Sequence, residues 1–345
     1  MLCICISLPK IKYKINIYNC NTCQSKFDRQ TSSMATSAAS SCEKLVRIPP
    51  EQWTALRDVY RQNWPQNAYS YYALENYINW SRKDPELCER EFRIWSIDEK
   101  WREHGIYILE DKTFISHVVR VDACALEHIA RYESALNHLK SIPYTELIFR
   151  EKTSSAVKKY IAQLGYEPPL AQCYPARLYH LRKEDCLKLE VRARSDFIIK
   201  PLALTDATEV DDFWAYKAPG SRYIVERNIK YNASLGAYHP ESDVLCAWVL
   251  YSELGTIACL YVKSEYRRRG LAEFLVKQIC RMLTAKNCDA TAHIEDTNNA
   301  SRRLFTKLGF QSVEFNYWFI KADFVSLKKG GEHVERLTEQ AMKHG

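Results

Sequence analysis

Apolar and polar positions recur along this chain with two periods, and the periods divide it into elements. Over 51–64, Trp53, Leu56, Val59 and Tyr60 share one helical face, and a second helix is expected over 69–82. The stretches 93–96, 105–109 and 113–119 read as strands, 123–140 as a helix, 145–150 as a strand, and 154–164 as a helix stopped at Gly165. The segment 167–195 holds Pro168, Pro169, Pro175 and a charge-rich run, and reads as a linker. A strand over 196–202 opens a second unit, with two helices between 205 and 231. The runs 244–251 and 256–262 are apolar on both faces, as central strands covered on each side should be, with Gly255 at the turn between them. A helix then places Leu271, Leu275, Ile279, Met282 and Leu283 on its buried stripe, and Glu273, Lys277 and Arg281 on its exposed face. A strand over 289–295 precedes a short helix carrying Ala300, Leu304, Phe305 and Leu308, with Gly309 as its left-handed cap. Strands return over 310–320, and a polar stretch from 328 reads as a frayed helix or tail.

Two passages align without gaps. The unit 145–166, with Ser154, Ser155, Tyr160, Ile161 and Leu164-Gly165-Tyr166, matches 289–310, with Asn298, Asn299, Leu304, Phe305 and Leu308-Gly309-Phe310. The same offset sets 123–128 opposite 267–272. The chain therefore reads as two copies of one α/β fold, and the second copy alone has a basic glycine loop. Its 345 residues agree, since about 150 residues make a domain.

Composition narrows the class. With 46% hydrophobic and 26% charged residues the chain is globular, and no apolar run reaches the ~20 residues of a membrane span. A net charge of +7 suits an anionic small ligand without requiring nucleic acid. The 13 cysteines are odd in number and scattered; the close pair Cys20 and Cys23 has no second pair to complete a zinc site, so no metal is expected. A reducing, cytoplasmic setting fits. The segment 1–33 is basic with a single acid, which leaves a mitochondrial destination as the alternative. Met34 opens a small, polar lead-in, so 1–33 is expected to be an extension without fixed structure and without a part in catalysis.

Candidate chemistry sits in Arg267-Arg268-Arg269-Gly270-Leu271-Ala272, between a buried strand and an amphipathic helix. A helix start offers unpaired N–H groups and the positive end of the dipole. Gly270 lets a ligand approach the backbone, Ala272 keeps the first turn narrow, and the arginines add fixed charge, so the unit can cradle a pyrophosphate. A solvated basic turn is the plainer reading of the hexapeptide alone. About 25 residues on stands Asn298-x-x-Ser301-x-x-Leu304-Phe305-x-x-Leu308-Gly309-Phe310. The two blocks together resemble the GNAT superfamily of acyl-CoA-dependent N-acyltransferases, whose loop reads Gln/Arg-x-x-Gly-x-Gly/Ala. Within it, the chain resembles the glycine N-acyltransferase-like group of insects, closely over 196–322 and loosely over 42–190.

The resemblance implies two tandem GNAT-like domains, each a mixed twisted sheet flanked by helices. These are an extension over 1–41, a degenerate first domain over 42–190, a catalytic domain over 196–322 and a tail over 323–345. It implies acyl-CoA or acetyl-CoA as co-substrate, held by the backbone from Arg268 to Ala272 with Arg267 alongside, and strands splayed around the pantetheine. It implies an oxyanion contact from a backbone N–H near Tyr261 or Val262, and contacts from Asn298 and Ser301 to the far arm of the cofactor. The amine would attack the thioester directly. The expected partners are acyl-CoA and a small amine or amino acid such as glycine, with no nucleic acid.

Two departures stand out. Phe305 occupies the position where many relatives carry a tyrosine acid, so the thiolate leaves unassisted or with help from Tyr261 or Tyr317. Where glycine-acylating relatives are expected to place a glutamate base, this chain has Thr256, with Glu253 just upstream. Strand alternation puts His293 and Glu295 on one face, and they rank ahead of Glu253 as the proton relay. His293, Trp248 and Trp318 also have core packing as their plainer role. Protein N-acetylation and catalytically idle CoA binding are the rival functions.

Overall fold

The computed structural model describes residues 45–113, 116–166, 173–218 and 220–321. The extension over 1–41, with Met34 and the Cys20/Cys23 pair, and the tail over 323–345 lie outside the described residues.

The described strands are β1 (Val46–Ile48), β2 (Phe92–Ser96), β3 (Tyr107–Lys112), β4 (His117–Asp122), β5 (Glu146–Arg150), β6 (Cys173–Leu181), β7 (Ile198–Lys200), β8 (Ser234–Tyr238), β9 (Leu245–Tyr251), β10 (Ile257–Val262), β11 (Ala290–Ile294) and β12 (Gln311–Ile320). The helices are α1 (Trp53–Val59), α2 (Ala68–Lys83), α3 (Pro85–Glu91), α4 (Trp101–His104), α5 (Ile129–His138), α6 (Ser154–Gln163), α7 (Lys183–Leu187), α8 (Ala207–Asp212), α9 (Ser221–Tyr231), α10 (Leu271–Thr284) and α11 (Asn299–Lys307). All these strands join one mixed sheet in the order β1-β2-β3-β4-β5-β12-β6-β11-β10-β9-β8-β7. The fold is the mixed α/β arrangement that the resemblance implies: β4 runs parallel to β5, and β10 parallel to β11.

The centre of the sheet departs from the sequence reading. The expected linker contains β6, which pairs antiparallel with β11 on one edge and β12 on the other. In turn β12 pairs with β5 of the first half. Each half thus completes its sheet with the other's strand. Pro175 lacks an N–H and reads as a breaker, yet it sits near the start of β6 opposite Tyr317. The buried residues Cys173, Ala176 and Leu178 follow no simple alternation, because β6 is covered on both faces.

Three of the five cores among the described residues follow from this layout. Helix α10 lays Leu271, Leu275, Ile279 and Leu283 on the second half's sheet, and α5 and α6 cover the first half with Tyr132, Leu136, Val157 and Ile161. A third core joins α1, α2 and β3 through Trp53, Tyr77, Trp80 and Tyr107. Helix α2 also clasps the second half. Tyr72 Oη accepts from the Asp289 N–H at 2.7 Å, and Asn76 Nδ2 donates to the Glu253 carbonyl at 3.0 Å.

The tightest point of that clasp is Gly255. Its φ is +70°, and a Cβ there would lie 2.5 Å from the Tyr72 backbone carbonyl. Gly255→Ala is expected to cost roughly 2–5 kcal/mol, the sum of left-handed strain and overpacking. Gly165, at φ +81° with nothing within 4 Å of its Cβ position, is the control. Gly165→Ala should cost only about 1–2 kcal/mol. Urea unfolding of the two variants checks the difference; equal losses would show that the Tyr72 contact yields freely.

Candidate functional site

The basic loop starts where β10 ends. A short 3-10 turn over Ser264–Tyr266 leads to Arg267 in an extended conformation, then Arg268 at φ +62° and Gly270 at φ +75°. The two left-handed residues bracket Arg269, so successive N–H groups curve around one concavity ahead of α10. Among the described residues, the N–H groups of Arg268, Arg269 and Gly270 donate to no backbone carbonyl. Leu271 and Ala272 are buried in the core and anchor the first turn. Arg267 turns back: its Nε donates to the Val262 carbonyl at 3.0 Å, and its Nη2 lies 3.4 Å from Tyr261 Oη.

A further arginine reaches the loop from the segment read as linker. Arg194 Nη1 donates to the Arg269 carbonyl at 2.7 Å, while its other nitrogens pair with Asp196. It lies 3.5 Å from where a Gly270 Cβ would stand, so no rigid wall closes the cradle. Nothing in the sequence around Arg194 marks it; only the fold brings it there.

Strands β10 and β11 share a single register pair, Ile257↔Ala292, and part beyond it. In the first half the equivalent β4 and β5 keep three pairs. The parting coincides with a bulge between Ala258 and Tyr261, where Cys259 has φ +49°. The Lys263 N–H goes to the Cys246 carbonyl of β9. Alternation therefore turns the Tyr261 N–H toward β9 and the Val262 N–H toward the gap. The Tyr261 ring stacks on Trp248 at 5.0 Å and packs against Phe213.

The residues at the end of β11 and beyond it differ in setting. His293 is buried, edge-on to Tyr69 at 4.4 Å and to Trp318 at 5.1 Å. Burial, with the Arg120 charge adding to it, drives its pKa down to about 3, so the imidazole is neutral at physiological pH. Glu295 accepts from Tyr216 Oη at 3.1 Å and from Thr297 Oγ1 at 3.2 Å. Asn298 caps α11, its Oδ1 accepting from the Ser301 N–H at 3.1 Å. Ser301 is fully buried, and its Oγ has no hydrogen-bond partner among the described residues. Phe305 lies in the core against Phe310, away from any proton chemistry.

A cavity of about 210 Å³ lies between the halves and borders the splay. Ile257, Ala258 and Cys259 of β10 and His293 of β11 line it, with Trp318 and Ile320 of β12 and Tyr174 of β6. The exchanged strands therefore make part of its wall. Glu253 lines the same cavity. Asn228 Nδ2 donates to its Oε2 at 2.8 Å. Burial raises the Glu253 carboxyl above its ordinary range, against the opposing pull of Asn228 and Arg227. Glu295 is not part of this lining. Among the described residues no three His, Cys, Asp or Glu side chains are grouped to hold a metal ion, and no helix is long and apolar enough to cross a membrane.

Comparison with known proteins agrees with this architecture. Residues 234–319 match the family described as FR47-like protein. The chain is similar to glycine N-acyltransferase of Mus musculus, at 24% identity over 245 residues that cover 70% of this chain and 73% of that one. An X-ray structure of a Drosophila melanogaster protein shares the fold at a TM-score of 0.70 and 22% identity, over 80% of this chain and 98% of that one. A tandem GNAT protein from the clavulanic acid biosynthesis pathway aligns more loosely, at a TM-score of 0.49 and 11% identity over 81% and 98% of the two chains. The run of unpartnered backbone N–H groups ahead of α10, beside two parted parallel strands, lies within the residues that match the FR47-like family.

Proposed function

We propose that this chain transfers the acyl group of an acyl-CoA directly to the nitrogen of a small amine held between its halves. The observation that carries the reading is the parting of β10 from β11 after one register pair, with the Arg268–Gly270 amides on one side of the opening and the cavity on the other. The residues fit the co-substrate. The cradle has unpartnered N–H groups, and Ser301 Oγ is a buried polar atom in want of a partner. The backbone from Arg268 to Ala272 would bind the pyrophosphate at the dipole's positive end, with Arg194 and Arg267 holding the loop in shape. Acyl-CoA supplies the thioester. The Val262 N–H would orient and polarise its carbonyl. Asn298 and Ser301 would meet the far arm. With Phe305 in the core, the leaving thiolate departs without an acid from that position, as its low basicity permits.

For the proton that the ammonium must lose, Glu253 suits better than the residues favoured by strand alternation. It lines the cavity with a raised pKa. A His293 imidazole that protonates only near pH 3 is a poor base, and Glu295 is bound to Tyr216 and Thr297. A cavity of about 210 Å³ between the halves favours a small acceptor over a peptide segment.

Acyl-CoA at a hundredfold excess over its Kd should stabilise the folded chain by about 2.7 kcal/mol, a rise of roughly 4–5 °C in Tm. Gly270→Glu should abolish that rise, because a carboxylate would stand where phosphate approaches. At the matched position of the first half Leu126 is exposed rather than packed under a helix, so Leu126→Glu should leave both stability and the acyl-CoA response nearly unchanged. No Tm response to acetyl-CoA or to longer acyl-CoAs would refute the co-substrate; a response without amine-dependent release of free thiol would leave an idle CoA-binding protein.

A further inference from the structure

Glu253 is held from both halves of the chain. It stands in the turn between β9 and β10, where no strand ladder fixes its side chain. From the first half, Asn76 of α2 holds its backbone carbonyl. From the second, Asn228 of α9 donates through Nδ2 to the carboxylate at 2.8 Å. Asn228 is buried and lines the cavity beside Glu253. Its Oδ1 has no hydrogen-bond partner among the described residues, so the bond to Glu253 is the one its side chain makes there. A half-satisfied buried amide costs stability, and packing alone gives no reason to keep it. Its helix is firmly set. The neighbouring Arg227 forks onto Asp111 of β3 at 2.8 and 2.9 Å, and it also donates to Glu91 at 2.9 Å. The first half thereby fixes α9, and α9 presents Asn228 to Glu253.

We propose that Asn228 is the positioning residue of the base: its Nδ2 fixes the rotamer of Glu253, so that the carboxylate stays at the cavity wall where the acceptor amine is held. The inference rests on the assignment of Glu253 as base in the reading above. A glutamate in a turn has several rotamers open to it, and a charge-assisted hydrogen bond selects one. The same bond favours the ionised form, which is the form that takes a proton. Other groups act on that carboxylate. Arg227 favours its ionisation and Asp111 opposes it. Tyr69 and Tyr77 of α2 stand near it, with hydroxyls that burial keeps neutral. Neutral His293 and Glu146 line the same cavity. Asn228 differs from these in binding the carboxylate directly.

The test is the pH dependence of kcat/KM for the full chain with one acyl-CoA and one amine, read as released thiol. Asn228→Leu keeps the size of the side chain and removes the donor. Its acid limb is expected to move up by roughly one pH unit, with a loss of about tenfold or more in rate below the limb. The Tm rise with acyl-CoA should remain. Asn228→Ala, which cannot crowd the site, should move the limb the same way. Asn232, just past α9, is the control: it accepts from Trp80 Nε1 at 2.8 Å and donates to the Tyr251 carbonyl at 3.0 Å. Asn232→Ala should lower the Tm and leave the limb in place. Added to Glu253→Gln, Asn228→Leu should change the shape of the profile no further. A limb unmoved in both Asn228 variants, yet removed by Glu253→Gln, would overturn the positioning role and leave Glu253 as the base. So would a limb moved equally by Asn232→Ala, or loss of the fold in both Asn228 variants, since either would make Asn228 a packing residue. A limb that survives Glu253→Gln would instead overturn the base assignment and this proposal with it.

Discussion

Asp122→Ala should lower the Tm of the whole chain by roughly 4–7 °C, the consequence of losing about 3–5 kcal/mol. Asp122 is buried at the end of β4 between two buried arginines. Arg120 Nη2 donates to its Oδ2 at 2.9 Å, and Arg150 Nη1 lies 3.5 Å from its Oδ1. The Ser70 hydroxyl and the Ala123 N–H donate to the same carboxylate. Alanine would leave two guanidinium groups buried with one fewer counter-charge. The loss should reach both halves, because Arg150 Nε also holds Glu314 of the exchanged strand β12 at 2.6 Å. It should reach the site too: Arg120 lies 3.7 Å from the Tyr69 ring centre, and Tyr69 packs edge-on to His293. Burial alone would push the Asp122 carboxyl up, but Arg150, Arg120 and Lys152 together bring it down to about 2. A folded pKa below the unfolded value of about 3.9 means stability that is complete above pH ~4 and lost as pH falls toward 2, on the order of 2 kcal/mol. The wild type should therefore lose that increment between pH 4 and 2, and Asp122→Ala should lack it. Thermal melts across that range decide. A small, pH-independent change would show that the arginines find other partners.

How much of this was legible in the residues depends on how local the cause was. The Arg267–Ala272 loop and its helix were, because glycine, dipole and amphipathic stripe all lie within one turn-and-helix unit. The repeat is visible in the fold, where β4 runs parallel to β5 as β10 runs parallel to β11. The exchange of β6 and β12 was not legible, since pairing partners more than a hundred residues apart leave no mark on a single strand's pattern. A strand buried on both faces, with a proline near its start, looks like a linker. Arg194 was missed for the same reason. Alternation put His293 and Glu295 on one face of β11, but it carries no information on what α2 and β12 bring against that face. There Tyr69 and Trp318 enclose His293. Glu253 stands in a turn, where no periodicity applies, and its setting is supplied by α9 and α2 from both halves of the chain.

Glu253→Gln should lower turnover by roughly 10²–10⁴-fold at neutral pH, with the fold and acyl-CoA binding retained. Glutamine keeps the size of the side chain, and its amide oxygen can still accept from Asn228 Nδ2. What it loses is the carboxylate that takes the acceptor's proton. In the wild type the rate should climb with pH through the Glu253 ionisation, which burial raises above the ordinary glutamate range. The sign follows from the base having to be ionised: below its pKa the carboxyl is protonated and the relay is closed. In Glu253→Gln that limb should vanish. The rate should then recover in part toward pH 9–10, where a typical amine with a pKa near that value sheds its own proton. A pH–rate profile of kcat/KM for both proteins, with one acyl-CoA and one amine, separates a base from a group that merely shapes the cavity. A shaping role would give a modest loss, parallel to the wild type at every pH. Should the two profiles coincide in shape, Glu253 is not the base. The same measurement on Glu295→Gln then comes next, because that carboxylate sits just past the β11 side of the splay, within reach of Tyr216.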